Sequence, residues 1–206
     1  MELQSDNLFI WSFVNMLSEF KSIQFKDALV KFHFSIYKNG IPGSGKTPDR
    51  IILDIQELSY DSLINIQDSL KEGYELAINS LITINERNFH IPFVDFSSED
   101  ENAQFLRSTS DLIKKCKSDL YLLKSGHSFH GYFDLLLSEE NWISYLGNLL
   151  LMNKPNANIV DSRWIGHSLQ QGYSALRISF KTKAYKQFPE FYKKIEFNPQ
   201  DIRNLS

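Results

Sequence analysis

A single cysteine, Cys116, stands in 206 residues, which excludes an internal disulfide and a cysteine zinc cluster. Lying among Lys114, Lys115 and Lys117, it reads as an ordinary helix residue rather than a reactive thiol. Long apolar runs are equally scarce. No stretch approaches the ~20 residues that a membrane-spanning helix needs, and the N-terminus does not join a basic region to an apolar run and a small-residue cleavage site. A cytoplasmic protein without membrane contact is therefore expected. Positive charge is also in short supply: a net charge of −3 argues against a protein that coats nucleic acid indiscriminately. Internal repeats, low-complexity tracts and linkers are absent from the sequence, so a single domain spanning residues 1–206 is expected.

What is present is a chain with 42% hydrophobic and 14% aromatic residues, enough for a substantial core. Its charge is graded. From Arg163 onward eight Lys or Arg face three acids, which leaves −8 for residues 1–162. A local basic surface of that kind attracts phosphates even on an acidic protein; the other reading is a solvated terminal helix with ordinary surface lysines.

Hydrophobic periodicity gives the elements. Leu3, Phe9, Ile10, Phe13, Val14, Leu17 and Phe20 follow helical spacing, which predicts an N-terminal helix within residues 1–25 packed on the body or on a partner. Val30 to Tyr37 alternates as a half-buried strand does, and Arg50 to Ile55 suits a second strand. Leu63, Ile66, Leu70, Tyr74, Ala77, Ile78 and Leu81 share one helical face, which predicts a helix from Ser62 to Leu81 with Asp61 and Ser62 near its cap. Short strands are expected at Ile91–Phe96, Leu120–Leu123, Phe129–Leu137 and Ala175–Phe180, a strand end at Ile159–Asp161, and helices through Phe105–Ile113 and Trp142–Met152. Strands and helices mix without strict alternation, so the fold class is α+β.

Gly40 to Thr47 satisfies the phosphate-loop pattern Gly-x-x-x-x-Gly-Lys-Thr literally. A working loop of that type opens a helix at its Lys-Thr, aiming free N–H groups at phosphate. Here Pro48 follows at once and a strand-like run begins at Arg50, so a hairpin connection is the favoured reading.

The most informative stretch is Ser125-Gly126-His127-Ser128-Phe129-His130-Gly131-Tyr132-Phe133-Asp134, followed by Asn158-Ile159-Val160-Asp161-Ser162-Arg163-Trp164-Ile165-Gly166-His167. The first is a small-residue turn entering an aromatic strand that carries a histidine; the second is a short apolar run ending in an acid, with Arg, Trp and His behind it. Ser128-Phe129-His130 and the hydrophobic-Asp pair Val160-Asp161 resemble the Ser-x-His second motif and the acidic third motif of the archaeo-eukaryotic primase (primase-polymerase) superfamily. The block from Asp161 to Ser179, with Leu176-Arg177-Ile178-Ser179, looks like the third-motif region of primase-like proteins from bacterial mobile-element and defence settings.

The resemblance implies a palm-like mixed or antiparallel sheet flanked by helices, with Asp95, Asp161 and His130 as the catalytic set. Ser128, His130, Arg163, His167 and Arg177 would meet nucleotide or phosphate. Asp95, Asp161 and Asp54 would hold Mg²⁺ or Mn²⁺, since hard oxygen ligands suit those ions. The family's first motif expects two acids on one face of a strand. Phe93-Val94-Asp95-Phe96-Ser97 offers Ser97 at the second position, and Ile52-Leu53-Asp54-Ile55-Gln56 offers Gln56. Asp95 is favoured by its separation from the histidine, and either choice leaves one acid. Two functions follow: template-directed nucleotidyl transfer on nucleic acid with a nucleoside triphosphate, or a non-catalytic subunit docking nucleic acid or protein within a larger defence or replication complex. Whether the chain is an enzyme stays open on sequence.

Overall fold

The computed structural model of the chain describes residues 28–38, 49–155, 157–179 and 188–200. The helix expected in residues 1–25 and the Gly40–Thr47 loop lie outside the described residues. The elements run β1 (Val30–Lys38), β2 (Asp49–Asp54), α1 (Tyr60–Ser69), β3 (Tyr74–Ile84), β4 (Arg87–His90), β5 (Phe93–Phe96), α2 (Ala103–Cys116), β6 (Leu120–Ser125), β7 (Ser128–Phe133), α3 (Glu139–Met152), α4 (Ser162–Gln171), β8 (Ala175–Arg177) and β9 (Glu190–Ile195). The fold class is α+β, with four helices and two antiparallel sheets among the described residues. Because β2 begins at Asp49, a strand rather than a helix follows the Gly-Lys-Thr run.

The chain divides into two compact units: residues 1–89 with 175–190, and residues 90–174 with 191–206. In the first unit the strand order is β2-β1-β3-β4, with β8 also pairing β3. Alternation sorts its residues cleanly. Phe34 lies opposite Ile78, Ile36 opposite Leu76, and Ile78 opposite Leu176 on one face; Ser35 lies opposite Ala77, Tyr37 opposite Glu75, and Ala77 opposite Arg177 on the other. Phe32, Phe34, Leu63, Leu76, Ile78 and Ile82 are all almost completely buried.

The helix expected from Ser62 to Leu81 is half helix and half strand. α1 starts two residues earlier, at Tyr60, with Ser59 as its N-cap in a capping box with Ser62, and ends at Ser69. Gly73 at φ 85° turns the chain, and Tyr74 to Ile84 becomes the central strand, with β1 on one side and β4 and β8 on the other. β3 is buried on both faces, so its apolar residues are not confined to alternate positions, and Tyr74, Ala77, Ile78 and Leu81 also fall at helical spacing. The two-residue link from β3 to β4 has both Asn85 and Glu86 at positive φ, 46° and 66°, which matches the right-handed twist of a hairpin.

In the second unit the strand order is β5-β7-β6-β9. Val94, Phe96, Leu120, Leu122, Phe129 and Phe133 pack against Phe105 and Leu112 of α2, Trp142, Leu146 and Leu149 of α3, and Ile165 of α4. Gly131 permits that packing: a Cβ there would stand 2.5 Å from Val94 Cγ1 and 3.0 Å from both Leu120 Cδ1 and Phe96 Cε2. Three expectations need correction. Residues 159–161 end not as a strand but as a single bridge, Val160 to Phe96, leading into the unforeseen helix α4; the strand expected to reach Leu137 ends at Phe133 as β7; and β8 stops at Arg177. An unexpected strand, β9, pairs with the β6 edge.

Candidate functional site

β6 and β7 form a hairpin whose closing pair is Ser125–Ser128, with Gly126 at φ 65° in the turn. That turn fixes the register of β7 and so decides what its histidine meets. In the β5–β7 ladder Asp95 lies directly opposite His130, which puts both side chains on the same face. His130 Nε2 stands 3.9 Å from Asp95 Oδ1; the histidine side chain is 8% exposed and the aspartate 25%. Ser128, two residues before His130, shares that face.

Asp161 arrives by a different route. The Asp161 N–H donates to the Asp95 carbonyl at 3.0 Å, and the Ser97 N–H to the Ile159 carbonyl at 2.9 Å, so residues 159–161 lie along the outer edge of β5. Asp161 is also the N-cap of α4: its Oδ1 accepts from the N–H groups of Arg163 at 2.8 Å and Trp164 at 3.3 Å. One carboxylate oxygen is thus committed to a cap, a stabilising position for an acid beside the positive helix end. Asn153 secures the approach, accepting at its Oδ1 from the N–H groups of Ile159 and Val160 and donating to the Val160 carbonyl. Arg163 and His167, four residues apart, are exposed on one face of α4.

The two remaining expected residues belong to the first unit. Asp54 closes β2 opposite Lys31; its N–H is held by Glu57 Oε2 at 3.0 Å, and its buried Oδ1 has no hydrogen-bond partner. Arg177 is 5% exposed and donates through Nη1 to the Ser179 carbonyl. Ser179 Oγ donates to Glu75 and accepts from the Leu76 N–H at 2.7 Å. The guanidinium therefore lies within a buried polar set.

That set was not read from the sequence. Glu75 is fully buried, and Ser35 Oγ donates to the equally buried Asn79 Oδ1 at 2.9 Å. On the same strand as Ser35, His33 Nε2 lies 2.9 Å from Thr83 Oγ1, which donates to Asn88 Oδ1 at 3.0 Å. The threonine proton is spent on Asn88, so His33 carries its proton on Nε2. Burial first, then Arg50 and Lys31, hold the His33 pKa below its ordinary value. The signal was the alternation Glu75-Ala77-Asn79, legible only once the segment is recognised as a strand.

Other candidates resolve into structure. Phe129 and Tyr132 are core residues, 2% and 0% exposed. Burial pushes the Cys116 thiol up to about 12, so it is no nucleophile at neutral pH. In β9, Lys193 pairs with Glu101, and Lys194 lies 2.8 Å from Asp119, so part of the basic surplus is compensated. Burial alone would raise the Asp119 pKa, but its bonds to Lys194 and to the Phe197 N–H outweigh burial and hold the carboxyl below its usual range.

Among the described residues no group of three His, Cys, Asp or Glu side chains gathers at one point. Mg²⁺ does not need one, since it is commonly held by one or two carboxylates plus substrate phosphates and water. Asp95 and Asp161, joined through their backbones, would be the two carboxylates of such a smaller donor set.

Two antiparallel sheets with flanking helices make a primase-like mixed fold. The family described as AEP-like, archaeo-eukaryotic primase 1D-like, matches residues 54–190, well over half of the chain. The chain belongs to this family, which points to a nucleotidyltransferase or nucleic-acid-related function. No curated protein and no solved structure matches it.

Proposed function

We propose that Asp95, His130 and Asp161 form the nucleotide end of a divergent primase-polymerase palm, which binds a nucleoside triphosphate with one divalent cation and acts on nucleic acid. The observation that carries this reading is the register: Asp95 opposite His130 in the ladder, with the Asp161 backbone bonded to that of Asp95. Asp95 and Asp161 would hold Mg²⁺ or Mn²⁺, and the ion would supply charge neutralisation at the phosphates. His130, on the same face as Ser128, would donate to a phosphate oxygen, a charge-assisted bond when the ring is protonated. Asp95 would stabilise that protonated form. Arg163 and His167, exposed on α4, offer further cationic or donor groups to the same ligand or to a template strand.

The position of Ser97 favours a second reading. The superfamily's second first-motif acid is replaced by a hydroxyl, a weaker ligand, so binding without nucleotidyl transfer is the alternative, in a subunit that docks nucleic acid within a larger defence or replication complex. One experiment separates the two. Mn²⁺ and a nucleoside triphosphate are titrated calorimetrically into wild type and Asp161→Asn, with primer extension assayed on the same samples. Metal-dependent binding with extension, both lost in the variant, supports the enzyme; binding without extension supports the docking subunit. Absence of binding in wild type sinks the nucleotide reading.

A further inference from the structure

Helix α3 is apolar on two sides. Trp142, Tyr145, Leu146 and Leu149 face the core, yet Ile143, Leu150 and Leu151 are 48%, 41% and 80% exposed. A surface helix ordinarily turns one apolar stripe inward and leaves the opposite side polar, so the outer residues need a separate cause. Glu140, Ile143, Gly147 and Leu150 follow one another at intervals of three, four and three. That is the seam spacing of paired helices. Lys154 stands just past the Asn153 cap, at the C-terminal end of the helix.

Gly147 adds an independent observation. A glycine inside a helix costs about 1 kcal/mol relative to alanine, and nothing among the described residues requires it here: the residue is exposed, and a Cβ would meet no heavy atom within 4 Å. On an exposed apolar seam its use is to let another backbone approach closely.

The seam is complementary to itself. With two copies of α3 antiparallel and crossing at Gly147, Ile143, four residues before the crossing, meets Leu151, four after it, on the second copy. Glu140, in the first turn, lies toward the C-terminal end of the second copy's helix, where Lys154 stands just past the cap. Each acidic first turn then faces the other helix's negative C-terminal end through Lys154, and the helix dipoles oppose. A parallel arrangement would instead set Glu140 against Glu140 and Lys154 against Lys154. We infer that this chain forms a two-fold symmetric dimer through α3, antiparallel and centred on Gly147. A two-fold axis makes each of these contacts occur twice. A 14-residue helix is about 21 Å long, so the contact lies at the small end of specific interfaces and the dimer is weak, with a dissociation constant on the order of 10 μM.

Sedimentation equilibrium of the full chain over a wide concentration range tests this. Wild type should show a reversible monomer–dimer equilibrium. Leu151→Glu should weaken it by about tenfold or more. Glu140→Lys and Lys154→Glu should each weaken it, and the double swap should restore it, because every like-charge encounter becomes an opposite one. Gly147→Gln should also weaken association, whereas Gly166→Gln on α4, where a Cβ likewise meets nothing, should not; circular dichroism verifies that each variant is folded. A monomer at all concentrations, or a dimer indifferent to Leu151→Glu, overturns the inference. Failure of the double swap to restore association overturns the antiparallel register.

Discussion

In the sheet of the first unit the polar face is closed on itself: Ser35 bonds Asn79, Arg177 bonds the Ser179 backbone, and Ser179 bonds Glu75, all of them nearly inaccessible to solvent. In the second unit the polar pair opposite each other on β5 and β7 stands at 3.9 Å, with the Asp95 side chain a quarter exposed. Both sheets bury one apolar face, so burial of apolar area does not separate them. Accessibility does. A polar set closed away from solvent, its members bonded to one another, holds a fold together, whereas the quarter-exposed Asp95 can be reached from outside, the access that the proposed nucleotide site requires.

Substitutions can break or sharpen this contrast. The largest effect is expected in the shared framework: Gly131→Val would drive a side chain into Val94, Leu120 and Phe96, costing about 3 kcal/mol or more and seen as a lowered denaturant midpoint. Glu75→Ala in the first unit removes the acceptor of Ser179 and should cost about 3 kcal/mol. Acid titration gives an effect of similar size at a third place. His90 is buried and stacked on Trp142, with ring centroids 4.3 Å apart, and burial lowers its pKa to about 4. The unfolded chain therefore takes up the proton at higher pH than the folded one. Stability should be fully present above about pH 6.5 and fall as pH drops toward about 4, by up to roughly 3 kcal/mol. His90→Phe, which keeps the stack, should flatten that dependence in pH-resolved urea unfolding.

Smaller effects separate framework from site within one residue. Asp161→Ala removes the α4 cap and should cost about 1 kcal/mol, while Asp161→Asn keeps an N-cap acceptor and should cost little. Both should lose cation-dependent nucleotide binding in calorimetry. Asp95→Asn should change stability least and binding most; a loss of stability as large as that of Glu75→Ala would erase the distinction between the two sheets.

How much of this was legible beforehand depended on the distance over which each signal acts. Ser128-Phe129-His130 and Val160-Asp161 were readable because a turn and an apolar run are local, and Asp95 was chosen over Asp54 by separation along the chain. Nothing local announces that β5 pairs with β7 in the register that sets Asp95 against His130. The Glu75 set was hidden because Tyr74 to Leu81 presents a helical face as well as a buried strand, and only pairing with β1 and β8 settles the choice. α4 was missed for a related reason. Asp161 was read as a strand end, although Asp-Ser-Arg-Trp is also a cap followed by a first turn. β9 lies far from its partner β6 in sequence, and its exposed Phe191 and Tyr192 give no alternation.

The most direct test is to follow the imidazole resonances of His130 by NMR while a nucleoside triphosphate and Mg²⁺ are added to wild type and to Asp95→Asn. The predicted result is a saturable shift of the His130 resonances in wild type, strongly reduced in the variant. A His130 resonance that ignores nucleotide in wild type, or shifts equally in both proteins, would contradict the assignment of Asp95, His130 and Asp161 as one site.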